Sequence, residues 1–180
     1  MTRHLQHTID LKFILLFIAA AYGTYLFHEF GHWIVGELLG NDMAYSLNYV
    51  WPKNGSYIDA SHDLYTSMGG PAFTIFQAMV GLLIIEKYRD SYIYPFVFFP
   101  MFSRFFSLVF GGFEKQDEAR ISAILGVGTY TVAILVLFIL ILIVVRCSSN
   151  LKISLKNNGH IVVLSTLCQL LVIGTYELML

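Results

Sequence analysis

The stretch LFHEFGHWIV, residues 26–35, places two histidines and a glutamate inside an apolar run. The run extends over about residues 11–40, and a helix needs only about 20 apolar residues to cross a hydrocarbon core about 30 Å thick. Ionisable side chains are costly at membrane depth and usually serve a function there. The stretch therefore predicts a membrane-spanning helix that carries a functional site.

The composition of the whole chain is that of an integral membrane protein. Of its 180 residues, 57% are hydrophobic and only 13% are charged, whereas about 25% are charged in a typical soluble domain. The formal net charge of −1 gives no basis for nucleic-acid binding. We predict a single domain over residues 1–180, of all-α class, embedded in a lipid bilayer. The sequence does not indicate an oligomeric state.

Five apolar segments predict about five transmembrane helices, and they cover about residues 11–40, 64–85, 92–113, 121–145 and 160–180. If all five cross, seven lysines and arginines, Arg3 among them, lie on the side of the N-terminus, and three lie on the other side. Cytoplasmic loops carry an excess of lysine and arginine. This distribution favours a cytoplasmic N-terminus.

A polar stretch, residues 41–63, separates the first two spans. Within it MAYSLNYVW alternates between apolar and polar residues, PKNG is typical of a turn, and SYIDA could return as a second strand. Alternation on both sides of a turn signal is typical of a β-hairpin. We predict a small hairpin within residues 44–60.

The motif HEFGH, residues 28–32, has the spacing of a zinc site. Residues four apart share one face of a helix, so His28 and His32 can direct their imidazoles at one ion. Glu29 would then be the general base that takes a proton from a zinc-bound water. Three ionisable groups on one turn of a membrane helix are difficult to explain without such a role. We predict one Zn²⁺ per chain.

A protein zinc site requires at least a third ligand. With five crossing spans, the charged loop EKQDEAR, residues 114–120, lies on the side towards which the motif is displaced. Asp117 is therefore the first candidate, Glu118 the second and His62 the third. Glu37, on the helix of the motif, is expected to face away from the metal.

Arg104 lies near the middle of the third span, where a guanidinium must pair or face water. As a structural residue it would pair with Glu37 or with helix carbonyls. As a functional residue it would stabilise an oxyanion or orient an acidic ligand. The aromatic residues around it, from Phe96 to Phe106, are expected to face lipid.

Over about residues 13–145 the chain resembles the site-two protease family of intramembrane zinc metalloproteases. Members of that family carry HExGH in their first core helix, and residues 28–32 match it. They have a Gly-Pro motif at the start of the next helix, matched by Gly70 and Pro71, and an aspartate ligand near a later helix, for which Asp117 is available. Many also have a membrane-associated β-hairpin or sheet between the first two core helices.

The resemblance implies a protease that hydrolyses peptide bonds in or near the transmembrane segments of membrane proteins or membrane-inserted peptides. Its catalytic core would span about residues 13–145. The residues expected to act are Glu29 as the catalytic base, His28, His32 and Asp117 as zinc ligands, and Gly70, Pro71 and Arg104 in substrate binding.

The chain departs from the family pattern in its later motifs. No Asn-x-x-Pro precedes Asp117, and Thr74 lies near the position of an asparagine that often follows the Gly-Pro motif. Two other functions stay open. One is a membrane zincin of another family that cuts soluble peptides, with a glutamate as third ligand. The other is a metal transporter, whose helices also carry histidine and glutamate on one face.

Overall fold

The computed structural model describes residues 9–110 and 113–178 of the chain. Its helices and strands are α1 (Leu11–Leu38), β1 (Met43–Tyr45), β2 (Val50–Pro52), α2 (Ser61–Tyr88), α3 (Tyr94–Phe110), α4 (Asp117–Leu125), α5 (Thr131–Leu151) and α6 (Leu155–Glu177). Short 3₁₀ turns precede α3 and α4, at Ser91–Ile93 and Phe113–Lys115.

Five of the described helices are long and apolar enough to cross a membrane. They are α1, α2, α3 with its preceding turn, α5 and α6. The mostly helical architecture with one small sheet is therefore confirmed, while insertion into a bilayer stays a prediction. Arg3, which contributes to the predicted orientation, lies outside the described residues.

The fourth predicted span, residues 121–145, is wrong at its start. A separate short helix, α4, ends at Leu125, and the membrane-length helix α5 begins only at Thr131. Gly126 follows α4 in the left-handed conformation with φ +65° and ends that helix, a position where glycine carries no Cβ penalty. The fifth predicted span, residues 160–180, corresponds to α6, which begins earlier than predicted, at Leu155. The Ser154 side chain caps α6 there by accepting from the Asn157 N–H.

The predicted hairpin is present, but its turn is different. β1 and β2 are antiparallel with Ala44 opposite Trp51. Ser46 closes the turn through its N–H, 2.9 Å from the Tyr49 carbonyl oxygen. PKNG therefore begins at the last residue of the second strand and continues beyond it, and SYIDA forms no strand. The hydrogen bond between Ser46 and Tyr49 determines where the turn lies. The alternation of apolar and polar residues does not predict this bond.

The apolar core lies between α1, α2, α3, α5 and α6. Phe98, Phe99 and Phe102 of α3 are buried in it, so the expectation that this aromatic run faces lipid is wrong for these three residues. The reason is the central position of α3, which contacts α1, α2, α5 and α6.

The helices α1 and α2 cross in backbone contact at two glycines. A Cβ added to Gly31 would lie 2.9 Å from the carbonyl carbon of Gly69, and a Cβ added to Gly69 would lie 2.7 Å from that of Gly31. Side chains larger than hydrogen are excluded at both positions. The crossing therefore brings the HEFGH turn of α1 directly against α2.

Candidate metal centre

Three ligand atoms from α1 and α4 converge at this crossing. The Nε2 atoms of His28 and His32 lie 3.2 Å apart. Oδ2 of Asp117, the first residue of α4, lies 3.0 Å from Nε2 of His28 and 3.2 Å from Nε2 of His32. Within residues 9–110 and 113–178 this is the one group of three such side chains close enough to share an ion. The structure therefore brings together the three residues predicted as zinc ligands.

The hydrogen bonds behind the imidazoles determine which nitrogens face Asp117. The Nδ1 of His32 lies 2.7 Å from the Thr66 carbonyl oxygen, which can only accept, so this nitrogen carries the proton. Thr74 donates its hydroxyl proton to the Gly70 carbonyl at 3.0 Å, so its oxygen accepts from Nδ1 of His28 at 2.9 Å. Both Nε2 atoms are then free to be ligands. The Gly70 nitrogen also lies 3.3 Å from Nδ1 of His32. We assign the proton of His32 to Nδ1 because the contact with the Thr66 carbonyl oxygen is shorter, at 2.7 Å.

The three ligand atoms fit a zinc ion. Tetrahedral zinc with bonds of about 2.0–2.1 Å separates its ligand atoms by about 3.3–3.4 Å, close to the 3.0–3.2 Å between these three. Two imidazoles and one ionised carboxylate leave a fourth position open, as catalytic zinc sites require.

Glu29 lies beside these ligands on the wall of a cleft. Its side chain is buried, and the cleft has a volume of about 760 Å³. The cleft is bounded by α1, the hairpin, the start of α2, the end of α3, α4 and the last turns of α6. A carboxylate at this position can exchange a proton with a molecule bound in the cleft.

Gly70 and Pro71 lie behind the ligands rather than in the cleft. A Cβ added to Gly70 would lie 2.6 Å from Nε2 of His28, so the glycine makes room for the imidazoles. Pro71 is buried in the interior of α2, not in its first turn, and neither residue lines the cleft. These contacts favour packing roles, and the predicted substrate binding by Gly70 and Pro71 finds no support in them.

Arg104 pairs with Glu118, a partner that the sequence did not identify. Its Nη1 lies 3.4 Å from Oε1 of Glu118, and the two side chains are 11% and 4% exposed. The expected pairing with Glu37 is wrong, because that carboxylate accepts from the Met43 N–H at 2.9 Å. Arg104 also lines the cleft, and its Nε has no partner within the described part of the chain.

The other two candidate ligands lie apart from the ligand cluster. Neighbouring residues of a helix point about 100° apart, so only one of Asp117 and Glu118 can face the imidazoles. Asp117 takes that position, and Glu118 pairs with Arg104 instead. His62 instead contacts the side-chain amide of Asn41, at 3.2 Å between Nδ1 and Nδ2. Thr66 was missed as a partner of His32, since a backbone carbonyl carries no sequence signal.

Neither a protein-family model, nor a curated protein, nor a solved structure matches the chain. The function is therefore inferred from the chemistry of the site and from the motif that forms it.

Proposed function

We propose that the chain is a membrane-embedded zinc metallopeptidase of the site-two protease type. It would hydrolyse a peptide bond in or near a transmembrane segment of a membrane protein or a membrane-inserted peptide. The observation that carries this proposal is the convergence of His28, His32 and Asp117 beside Glu29 at the wall of a cleft.

Each residue of the site has a distinct part in the proposed reaction. His28, His32 and Asp117 hold the ion, which when bound would supply a Lewis acid that polarises a carbonyl and lowers the pKa of water. Glu29 accepts the proton of the attacking water and returns it to the leaving amine. Arg104 lines the cleft, and its guanidinium would donate to the negative charge that develops on the scissile carbonyl oxygen.

The substrate must be presented in an extended form. A transmembrane helix keeps its carbonyls in internal hydrogen bonds, so it has to unwind locally before hydrolysis. Val50 of β2 lines the cleft, and strand addition to the hairpin would hold the unwound segment.

The site requires a defined position in the membrane. We propose that α1, α2, α3, α5 and α6 cross the bilayer, with the N-terminus on the cytoplasmic side. The metal ligands then lie beyond the middle of α1, towards the opposite side, together with the hairpin and α4.

Two rival functions are less well supported by the contacts. A zincin with a glutamate as third ligand would need Glu118, whose carboxylate pairs with Arg104. A transporter needs polar ligands at several depths along a path, whereas the described residues contain a single cluster of this kind.

The deciding experiment uses purified protein reconstituted in liposomes with a set of labelled single-span peptides. We expect wild-type protein to cleave at least one of them, and Glu29→Gln to keep one zinc while losing about 10²–10⁴-fold in rate. Glu37→Gln, a carboxylate on the same helix that bonds to Met43, is the control and should cleave normally.

The same preparations separate the rivals. Zinc should be lost from Asp117→Ala, so retained zinc would favour a different third ligand. Undiminished cleavage by Glu29→Gln would remove this residue from the reaction. Zinc flux into liposomes without proteolysis would instead support a transporter.

A further inference from the structure

The last helix contributes a buried amide to the cleft. Gln169 of α6 is 1% exposed, and its Nε2 is hydrogen-bonded to the Tyr25 hydroxyl of α1. Its Oε1 has no partner among the described residues. Both side chains line the same cleft as Glu29.

An unpaired amide oxygen at this depth is costly. A buried acceptor without a partner costs about 1–3 kcal/mol, and most buried polar groups in folded proteins are paired. The oxygen itself is enclosed, but the side chain that carries it lines the cleft, so a ligand whose N–H or O–H reaches this oxygen would pair it.

The Tyr25 hydroxyl supplies the complementary group. Its oxygen accepts from Gln169, and a hydroxyl that accepts in this way keeps its own proton to donate. If the Gln169 amide is rotated by 180°, its oxygen accepts from the tyrosine hydroxyl and its NH₂ group becomes the free donor. The pair then still offers one donor and one acceptor. The chemistry of the pair therefore does not depend on the orientation of the amide.

The pair lies one helical turn from the proposed base. Tyr25 precedes Glu29 by four residues, and residues four apart are neighbours on one helix face. On α6, Ile173 and Tyr176 follow Gln169 at helical spacing and line the cleft with it. One wall of the cleft thus combines a polar pair with apolar and aromatic surface.

We propose that Gln169 and Tyr25 form a subsite for the backbone of an extended peptide. The amide oxygen accepts a peptide N–H, and the tyrosine hydroxyl donates to a peptide carbonyl. In a β-strand the N–H and C=O of one residue point to the same neighbouring strand, so a single substrate residue satisfies both groups. The subsite rests on the proposed proteolysis and gives α6, outside the predicted core of residues 13–145, a positioning role.

The test uses a peptide that wild-type protein cleaves and a series in which one backbone amide at a time is replaced by an ester, which removes its N–H. At one position we expect the ester to lower kcat/KM of wild-type protein by about tenfold, the loss of one hydrogen bond. Gln169→Leu should be insensitive at that position and sensitive elsewhere. Peptide binding to Glu29→Gln, measured by fluorescence anisotropy, should weaken about tenfold when Gln169→Leu is added.

The matched control is Ser165→Ala, one turn earlier on α6. Ser165 is also fully buried, but its hydroxyl bonds to the Ile161 carbonyl of its own helix and it does not line the cleft. It should keep the ester sensitivity of wild-type protein. If Gln169→Leu does not fold, Tyr25→Phe tests the same pair, with Tyr22→Phe as its control, and should weaken peptide binding.

The outcomes distinguish the two proposals. An ester effect that is the same in wild-type protein and Gln169→Leu overturns the subsite while leaving the proposed proteolysis intact. Wild-type protein that holds zinc and cleaves no peptide overturns both.

Discussion

Two residues that are not ligands decide how the imidazoles are presented. The Thr66 carbonyl and the Thr74 hydroxyl hold the Nδ1–H groups of His32 and His28 at 2.7 and 2.9 Å. With both Nδ1 atoms protonated, both Nε2 lone pairs point to the same place. Hydrogen bonds of this kind fix the tautomer and raise the affinity of a histidine ligand.

We predict that Thr74→Val lowers zinc affinity about 10–100-fold, the usual effect of removing such a partner, while Thr74→Ser retains most of it. Competition with a chromogenic chelator measures the affinity. Thr166→Val is the control, because this hydroxyl donates to the Val162 carbonyl of its own helix. Equal affinities for Thr74→Val and wild-type protein would mean that the hydroxyl does not orient His28.

Glu118 and Asp117 are neighbours with different roles, and substitution separates them. Glu118→Ala leaves the buried Arg104 guanidinium without its carboxylate, a change that costs about 3–5 kcal/mol of folding free energy. We expect reduced resistance to denaturant in detergent with zinc content unchanged. The exposed Glu114 provides the control substitution Glu114→Ala. Zinc loss without loss of stability would identify Glu118 as a ligand instead.

At the scale of elements, the close crossing of α1 and α2 and the short helix α4 assemble the site. The crossing at Gly31 and Gly69 places backbone against backbone, so the imidazoles of α1 reach the carbonyl and hydroxyl groups of α2. The short α4 begins at Asp117 and brings the carboxylate to the two histidines. Each element alone supplies an incomplete ligand set.

We predict that Gly31→Ala destabilises the protein by about 1–3 kcal/mol, the usual cost of overpacking, and weakens zinc binding by displacing α1 from α2. Gly23→Ala is the matched control on the same helix, because a Cβ added there meets no atom within 4 Å. Denaturant resistance and zinc affinity are measured for both variants. Equal behaviour of the two would contradict a close crossing at Gly31.

At the scale of the whole molecule, five apolar helices in sequence place successive connections at alternate ends of the bundle. The hairpin and α4 belong to the end that carries the cluster of His28, His32 and Asp117, and the connection between α5 and α6 belongs to the other end. Proton and substrate exchange with water is then expected from the side of the hairpin.

Labelling of single cysteines tests this arrangement. In a background without Cys147 and Cys168, Asn54→Cys in the loop after β2 and Lys156→Cys at the start of α6 both lie at exposed positions. A membrane-impermeant maleimide added to sealed, oriented vesicles should label one of them and spare the other. Labelling of both in intact vesicles would contradict five crossings, and permeabilised vesicles provide the control for reactivity.

Local patterns were sufficient to predict several features of the chain. The lengths of the apolar runs predicted five long helices, and the four-residue spacing of His28 and His32 predicted a shared helix face. The turn of the hairpin was misplaced, because Ser46 closes it through a contact that alternation does not encode. The start of α5 was misplaced because Gly126 ends α4 near the start of a predicted span.

The sequence by itself determined the helical class of the chain and the pair of histidines with its glutamate, since both follow from spacings of a few residues along one helix. Only the tertiary structure decided that Asp117 faces the two imidazoles while Glu118 pairs with Arg104. It also brought Gln169 to Tyr25, 144 residues away in the chain. These contacts depend on how separate helices pack and cross. Helix packing is a property of the assembled bundle, and no local pattern of residues carries it.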